Sequence, residues 1–137
     1  MSKDFDGVAR RRACDRCCAK IFGAAAYAML LCSGGAYAEG DADRGAQLYR
    51  GCEDCHSIEK NEVGPKHQGV FGRTAGSVPD YNYSPALKNS NIVWTEENLD
   101  KWLTNPQAFV PGARMFYKVN KAQDRADLIA FLKERAQ

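Results

Sequence analysis

Two cysteines and a histidine are the most informative reactive side chains in this 137-residue chain, in the run Cys52-Glu53-Asp54-Cys55-His56. Cys-x-x-Cys-His is the attachment signature of c-type haem. Cysteines three positions apart on one helical turn can reach the two vinyl groups of a porphyrin as thioethers, and the adjacent histidine then faces the iron. The spacing therefore predicts one covalently bound haem, held by Cys52 and Cys55, with His56 as an iron ligand.

Other chemistries also use cysteine pairs. A structural zinc site needs four ligands, but after His56 the chain offers only His67 and no further cysteine. A redox-active dithiol usually lies beside a strand and a helix, whereas no strand-rich pattern surrounds this pair. The sequence favours haem attachment, with zinc binding and dithiol chemistry as the alternatives.

The second axial ligand has two candidates, Met115 and His67. Met115 follows a Pro-Gly turn at residues 111–112, which could hold a thioether over the metal, far in sequence from His56. A lone methionine usually fills a gap in a core, but the turn and the haem favour ligation here. His67 lies soon after His56 on the same connecting segment, so reaching the opposite face would require the chain to cross the porphyrin edge. Met115 is the predicted ligand and His67 the alternative.

The first 38 residues have the pattern of an export signal. Basic side chains concentrate in residues 1–20, an apolar run follows at residues 21–31, and residues 36–38 read Ala-Tyr-Ala, with small residues at the two positions that a signal peptidase recognises. The apolar run is about half of the roughly 20 residues that span a bilayer. We expect residues 1–38 to be a cleaved signal peptide and residues 39–137 to be periplasmic, with an uncleaved membrane anchor as the alternative.

Cleavage after Ala38 would also change the cysteine count and the charge. Four of the six cysteines lie in the predicted signal, which leaves Cys52 and Cys55 for the haem. The same segment holds six basic and three acidic residues, leaving 13 of the 19 basic and 14 of the 17 acidic residues in the remainder. A slightly acidic domain without a basic stripe does not suit nucleic-acid binding. The sequence predicts no nucleic-acid partner.

Residues 39–137 have the length of one domain and a helical pattern. Asp, Ser and Thr residues in front of apolar-periodic segments are typical helix N-caps. The first predicted helix begins at Asp41 or Asp43 and runs through Tyr49 into the haem motif. The second begins at Ser84-Pro85, and the third runs from Thr95 to Asn105-Pro106. The last begins at Asp124, with Asp127 three residues on. Two long Gly- and Pro-rich connections, residues 64–80 and 105–120, separate them. Loops of this length are uncommon unless functional, so we expect them to wrap around the haem.

These motifs together resemble the class I cytochrome c family. The matching segments, in the family's order, are residues 52–56 (CEDCH), 64–65 (GP), 69–73 (GVFGR), 81–84 (YNYS), 92–95 (IVWT), 105–106 (NP), 111–112 (PG) followed by Met115, and 127–132 (DLIAFL). The resemblance covers nearly all of residues 40–135. It implies an all-α fold of three to five short helices and long loops wrapped around one covalent haem, in a small bacterial periplasmic protein similar to the mitochondrial type.

The resemblance also implies roles for single residues. His56 and Met115 would be the axial ligands, and the Pro65 carbonyl would accept the other imidazole N–H of His56. Residues of the family that surround the haem propionates are matched here by Arg73, Tyr83 and Trp94. Gly45 would allow the first and last helices to approach closely, with Leu48 packed against Leu128 and Phe131.

The chain departs from the family pattern at three places. Ala113 stands where a threonine is usual, Trp102 stands where a tyrosine is common, and the loop from His56 to Gly64 is shorter than in the mitochondrial form. None of these positions is a predicted ligand. The departures bear on the redox potential and on the strength of the iron–sulfur bond.

Function follows from the predicted coordination. Two protein ligands leave no open iron position, so the centre suits one-electron transfer and not an enzyme such as a peroxidase, which needs an open distal site. We expect a monomeric electron carrier that docks transiently to membrane redox complexes or periplasmic oxidoreductases. A signalling module would need a fused effector. The basic residues that could steer docking are Arg114, Lys118, Lys121 and Lys66.

Overall fold

The computed structural model describes residues 39–137, which form five helices joined by turns and loops. The helices are α1 (Ala42–Tyr49), α2 (Pro85–Lys88), α3 (Glu96–Thr104), α4 (Pro106–Phe109) and α5 (Ala122–Arg135). Within these residues, β structure is limited to one antiparallel bridge between Thr74 and Val93. The all-α prediction is confirmed. The predicted signal peptide, residues 1–38, lies outside the described residues.

Three helices begin at the predicted capping residues. The Asp41 carboxylate accepts from the backbone N–H groups of Asp43 at 2.9 Å and Arg44 at 3.1 Å. The Ser84 and Thr95 hydroxyls each accept, at 3.2 Å, from the backbone N–H three residues on. Each cap satisfies N–H groups that the first helical turn leaves without a partner.

Three predicted boundaries are wrong. α1 ends at Tyr49, and the haem motif follows it as hydrogen-bonded turns. The segment after Asn105 is not all loop, because the Asn105 side chain caps α4 and proline is tolerated in a first helical turn. α5 begins at Ala122, two residues before Asp124, and has no side-chain cap.

The failed capping prediction at α5 has a tertiary cause. Asp127 is fully buried, and its carboxylate accepts from the backbone N–H of Asp41 at 2.8 Å, from Gln123 at 2.9 Å and from the Arg44 guanidinium. Burial alone would raise the pKa of Asp127, but these hydrogen bonds together hold it below its usual range. The residue joins the start of α1 to α5 instead of opening its own helix.

Gly45 permits the crossing of α1 and α5. A Cβ atom at this position would lie 2.1 Å from the Asp127 carbonyl oxygen and 2.8 Å from the Phe131 Cβ atom, far inside contact distance. One turn on, the Tyr49 ring packs against Phe131 with ring centroids 4.8 Å apart. The predicted close approach at Gly45 is therefore present, and Leu48 lies partly buried against the same core.

The core connects this crossing to α3. Buried side chains of α3 and α5 form its centre: Leu99, Trp102, Leu103, Leu128, Ile129 and Leu132. The α3 helix also packs against α4, which places the start of the 106–120 segment firmly on the core. None of the helices between residues 39 and 137 is long and apolar enough to cross a membrane.

Candidate functional site

A cavity of about 450 Å³ opens between the haem motif, the two long connections and the core. Cofactor sites commonly have volumes of about 300–1,000 Å³. Its lining includes every residue that the sequence assigned to the site: Cys52, Cys55, His56, Pro65, Arg73, Tyr83, Trp94 and Met115. Apolar side chains of α3 and α5, among them Leu99 and Leu128, complete the wall. The fold thus brings together residues that are up to 63 positions apart in the chain.

The haem motif forms a compact turn after α1. The Cys52 carbonyl accepts from the N–H groups of Cys55 at 3.1 Å and His56 at 2.8 Å, as in one turn of helix. Burial raises the pKa of the Cys52 thiol to about 11. A redox-active dithiol depends on a lowered thiol pKa, so this environment does not suit dithiol exchange.

His56 is held with one nitrogen committed and the other available. Its Nδ1 is hydrogen-bonded to the Pro65 carbonyl oxygen at 2.8 Å, the contact that the resemblance implied. A carbonyl only accepts, so Nδ1 carries the proton and Nε2 has a lone pair for a metal. Burial lowers the pKa of His56, although the Pro65 bond opposes this, and favours the neutral ring that a metal requires.

Gly64 brings the backbone against the His56 ring. A Cβ atom at Gly64 would lie 2.2 Å from Cε1, 2.5 Å from Nδ1 and 2.6 Å from Nε2 of His56. Since no side chain fits there, glycine is required by contact and not by turn geometry. The Gly64-Pro65 pair thus both confines and orients the imidazole.

His67 lies beside His56. The two rings stack with centroids 4.2 Å apart and planes 20° apart. A hydrogen bond of 2.9 Å joins His67 Nδ1 to the hydroxyl of buried Tyr49. Burial lowers the pKa of His67 to about 3, so the ring is neutral. This position next to His56 supports Met115 over His67 as the opposite ligand. The Tyr49 partnership was missed, because no local pattern joins residues 18 positions apart.

The segment carrying Met115 is a tight turn held by a side chain. Gly112 has a φ of +89°, which favours glycine, and Ala113 N–H donates to the Val110 carbonyl at 3.0 Å. The amide Nε2 of Gln107 donates to the carbonyl oxygens of Ala113 at 2.7 Å and Met115 at 2.8 Å. Sequence reasoning passed over Gln107, since it lies in α4, which was not predicted.

The three residues matched to propionate neighbours lie on the cavity wall, with different contacts. Arg73 donates to the carbonyl oxygens of Gln68 at 2.5 Å and Lys66 at 2.9 Å, so its guanidinium supports the histidine-side loop. Burial lowers the pKa of Arg73 and raises that of Tyr83. Trp94 is buried, 5.3 Å from the ring of Trp102 between centroids. Their contacts with propionates stay a prediction.

Residues 42–136 match the family model of cytochrome c. The chain belongs to the cytochrome c family. Cytochrome c2 of Rhodomicrobium vannielii is 49% identical over 109 residues, which cover 77% of this chain and 87% of that protein. Cytochrome c of Euglena viridis is 49% identical over 98 residues, 69% of this chain and 96% of that one. Among solved structures, cytochrome cH from Methylobacterium extorquens aligns with a TM-score of 0.68 at 40% identity, over 70% of this chain and 100% of that chain.

This cytochrome c carries haem c, bound covalently through Cys52 and Cys55. The lining fits that group, because two cysteines, a neutral histidine oriented by Pro65 and a methionine face one largely apolar cavity. When bound, the haem supplies a one-electron redox couple. The protein is accordingly an electron carrier and not an enzyme.

Proposed function

We propose that this cytochrome c is a periplasmic one-electron carrier whose iron is ligated by His56 and Met115. It passes electrons between membrane-bound redox complexes or periplasmic oxidoreductases of a respiratory or photosynthetic chain. The observation that carries the ligand assignment is the shared cavity, which both side chains line from segments 59 residues apart. Nitrogen and thioether ligation raises the potential of a haem and leaves the iron without an open position.

The periplasmic location is supported by residues 1–38 and by the attachment motif. In residues 1–38, the order of basic, apolar and small residues is that of a cleaved signal peptide. The chain is also similar to cytochrome c2 of Rhodomicrobium vannielii. The proposed mature protein begins at Glu39, three residues before α1.

The proposed docking surface is the rim of the cavity. Val63, Phe116 and Tyr117 line the cavity yet are 77%, 72% and 54% exposed, so they form an apolar rim at its opening. Lys118 and Lys121 are exposed just after this rim, and Arg114 donates to the Asn82 carbonyl at 2.7 Å. Lys66 is bonded to Gln68 and only partly exposed, which makes it the weakest of the four basic candidates. A small rim of this kind suits transient docking by a monomer.

Intact-mass analysis and optical spectra of the periplasmic fraction test the proposal. We expect one species that begins at Glu39, with one haem that resists extraction by acidic acetone. Its ferric and ferrous spectra should both be low-spin, because two strong protein ligands hold the iron. A mass that retains residues 1–38 would contradict the signal assignment. A high-spin ferric spectrum would contradict the second ligand.

A further inference from the structure

The side chain of Gln107 is bonded entirely to the segment that carries Met115. Its Nε2 donates to the carbonyl oxygens of Ala113 at 2.7 Å and Met115 at 2.8 Å. A primary amide has two N–H donors, so these two bonds use all of its donor capacity. The amide therefore ties the backbone on both sides of Arg114.

Gln107 makes these bonds from a fixed position. It is the second residue of α4, where Pro106 is less than 2% exposed and the Asn105 side chain accepts from the Ala108 N–H at 3.3 Å. Asn105 N–H in turn donates to the Lys101 carbonyl at 3.1 Å, which continues the hydrogen bonding of α3. The amide is thus anchored to α3 and the core.

The Met115 segment itself is less constrained. Gly112 has a positive φ and widely permitted backbone angles, and Ala113 has no hydroxyl that could bond within the turn. A thioether is a neutral ligand, so the segment must be held closed for the sulfur to stay at the metal. Two hydrogen bonds from a rigid helix supply that restraint.

We propose that Gln107 is a positioning residue that keeps Met115 at the iron by bonding the carbonyls of Ala113 and Met115. The inference rests on the proposed ligation of the iron by Met115 and assigns the control of that ligand to a side chain outside the segment. Gln107 acts through backbone oxygens and is not a ligand itself. Its loss should loosen the methionine while leaving the haem attached and the helices folded.

Ligand-exchange kinetics of the ferric holoprotein test this role. Imidazole can bind only after Met115 leaves, so the observed rate in stopped-flow mixing should saturate with imidazole at the rate of segment opening. Gln107→Ala removes the amide, and Gln107→Glu keeps the shape but replaces the donors with a carboxylate that only accepts. We expect the limiting rate to rise about tenfold in both variants, the factor that corresponds to about 1.4 kcal/mol, which is within the range for the loss of two hydrogen bonds of about 0.5–1.5 kcal/mol each.

Two control variants separate positioning from other effects. Gln47→Ala removes an amide that is exposed on α1. Asp127→Asn weakens the α1–α5 junction. The hydrogen bonds of the Asp127 carboxylate go to Asp41, Gln123 and Arg44, and none of these lies in the Met115 segment. Both controls should keep the wild-type limiting rate, and the Asp127 variant should nevertheless have a lower Tm.

The outcomes test the role of Gln107 separately from the proposed ligation of the iron by Met115. A saturating wild-type rate that neither Gln107 variant changes would overturn the role of Gln107 and leave the Met115 ligation standing. Equal acceleration in Asp127→Asn would also overturn it, because the effect would then follow global stability. If wild type binds imidazole without saturation, at the rate of Met115→Ala, the ligation itself is wrong.

Discussion

The histidine side and the methionine side of the haem site are built in different ways. His56 is fixed by the backbone of Gly64 against its ring, by the Pro65 carbonyl at Nδ1 and by the stacked ring of His67. The backbone around Met115 is tied to the rest of the fold by the amide of Gln107. One side is confined mainly by packed atoms, and the other is restrained by hydrogen bonds, from the Gln107 amide and from the Arg114 guanidinium to the Asn82 carbonyl.

The difference predicts how each side responds to change. Packed contacts hold a ring over a range of conditions, because any displacement meets repulsion. A hydrogen bond contributes only a small net free energy, because its loss is offset by bonds to water. We therefore expect substitutions to release the methionine more readily than the histidine, and added bulk to be the most damaging change on the histidine side.

Replacing Met115 by Ala should have the largest effect. The sixth iron position opens while the haem stays attached, because the thioether bonds depend on Cys52 and Cys55. Affinity for carbon monoxide and cyanide should rise and the midpoint potential should fall, since methionine ligation raises it. His67→Ala is the control and should keep the six-coordinate spectrum. If His67→Ala opens the iron and Met115→Ala does not, the ligand assignment is wrong.

Acid titration should weaken the fold at the α1–α5 junction, where the buried Asp127 carboxylate accepts from Asp41, Gln123 and Arg44. The folded-state pKa of Asp127 lies below its usual range, so its carboxylate stabilises the fold above the ordinary pKa of about 4 and this contribution is lost as the pH falls through the folded value. The free energy of unfolding should decrease with falling pH below about 4, and less steeply in Asp127→Asn. Urea unfolding at several pH values measures this slope, and an identical slope in the variant would contradict the assignment.

Local features of the fold were predictable and long-range ones were not. The caps at Ser84 and Thr95 were predicted correctly, and Asp41 was one of two candidates for the first cap, because a cap bonds within three residues of itself. Asp127 was predicted to open α5, but its partner Asp41 lies 86 positions away. Gln107 was missed for a related reason. It bonds the carbonyl groups of Ala113 and Met115, six and eight positions away, and these contacts depend on how the intervening turn folds.

The site shows the same division. The positions of Cys52, Cys55 and His56 follow from a spacing rule, and the cavity gathers them as expected. The Tyr49–His67 hydrogen bond joins a helix to a loop, and no sequence motif at either residue predicts the other as its partner. Such pairs depend on how elements pack, which spacing along the chain does not specify.

Gly64→Ala tests whether packing confines His56. The added methyl group would lie within 2.6 Å of three ring atoms, and such overpacking typically costs about 1–3 kcal/mol. The ring should shift, with a changed ferric electron paramagnetic resonance spectrum and a lower Tm. Gly69→Ala is the matched control in the same loop, because its φ is +63° and nothing lies near its Cβ position. It should lower the Tm and keep the spectrum, and equal spectra in all three proteins would contradict the confinement of His56.

Tyr49→Phe should have a smaller effect on the same side. The phenyl ring keeps its contact with Phe131 but leaves His67 Nδ1 without its partner, at a cost of about 1 kcal/mol in the free energy of unfolding. Adding His67→Leu should recover most of that loss, because two apolar side chains leave no unpaired polar group. Urea unfolding of the two single variants and the double variant measures the coupling, with Tyr117→Phe at an exposed site as the control. Additive losses would show that the two side chains do not act as a pair.

The smallest expected effect concerns docking on the methionine side, where exposed Lys118 and Lys121 follow the apolar rim. If these lysines make the rim positive, the hexacyanoferrate(III) anion should oxidise the ferrous protein more slowly as salt rises, because the Debye length shrinks to about 10 Å at 0.1 M. Charge reversal of both lysines to Glu should lower that rate, raise the rate with a cationic cobalt(III) complex, and leave the midpoint potential nearly unchanged, since neither residue is a predicted ligand. Lys88→Glu on α2, outside the cavity lining, is the control. Rates that respond to neither salt nor charge reversal would instead favour docking through the apolar contact of Val63, Phe116 and Tyr117, whose exposure already supplies a surface for it.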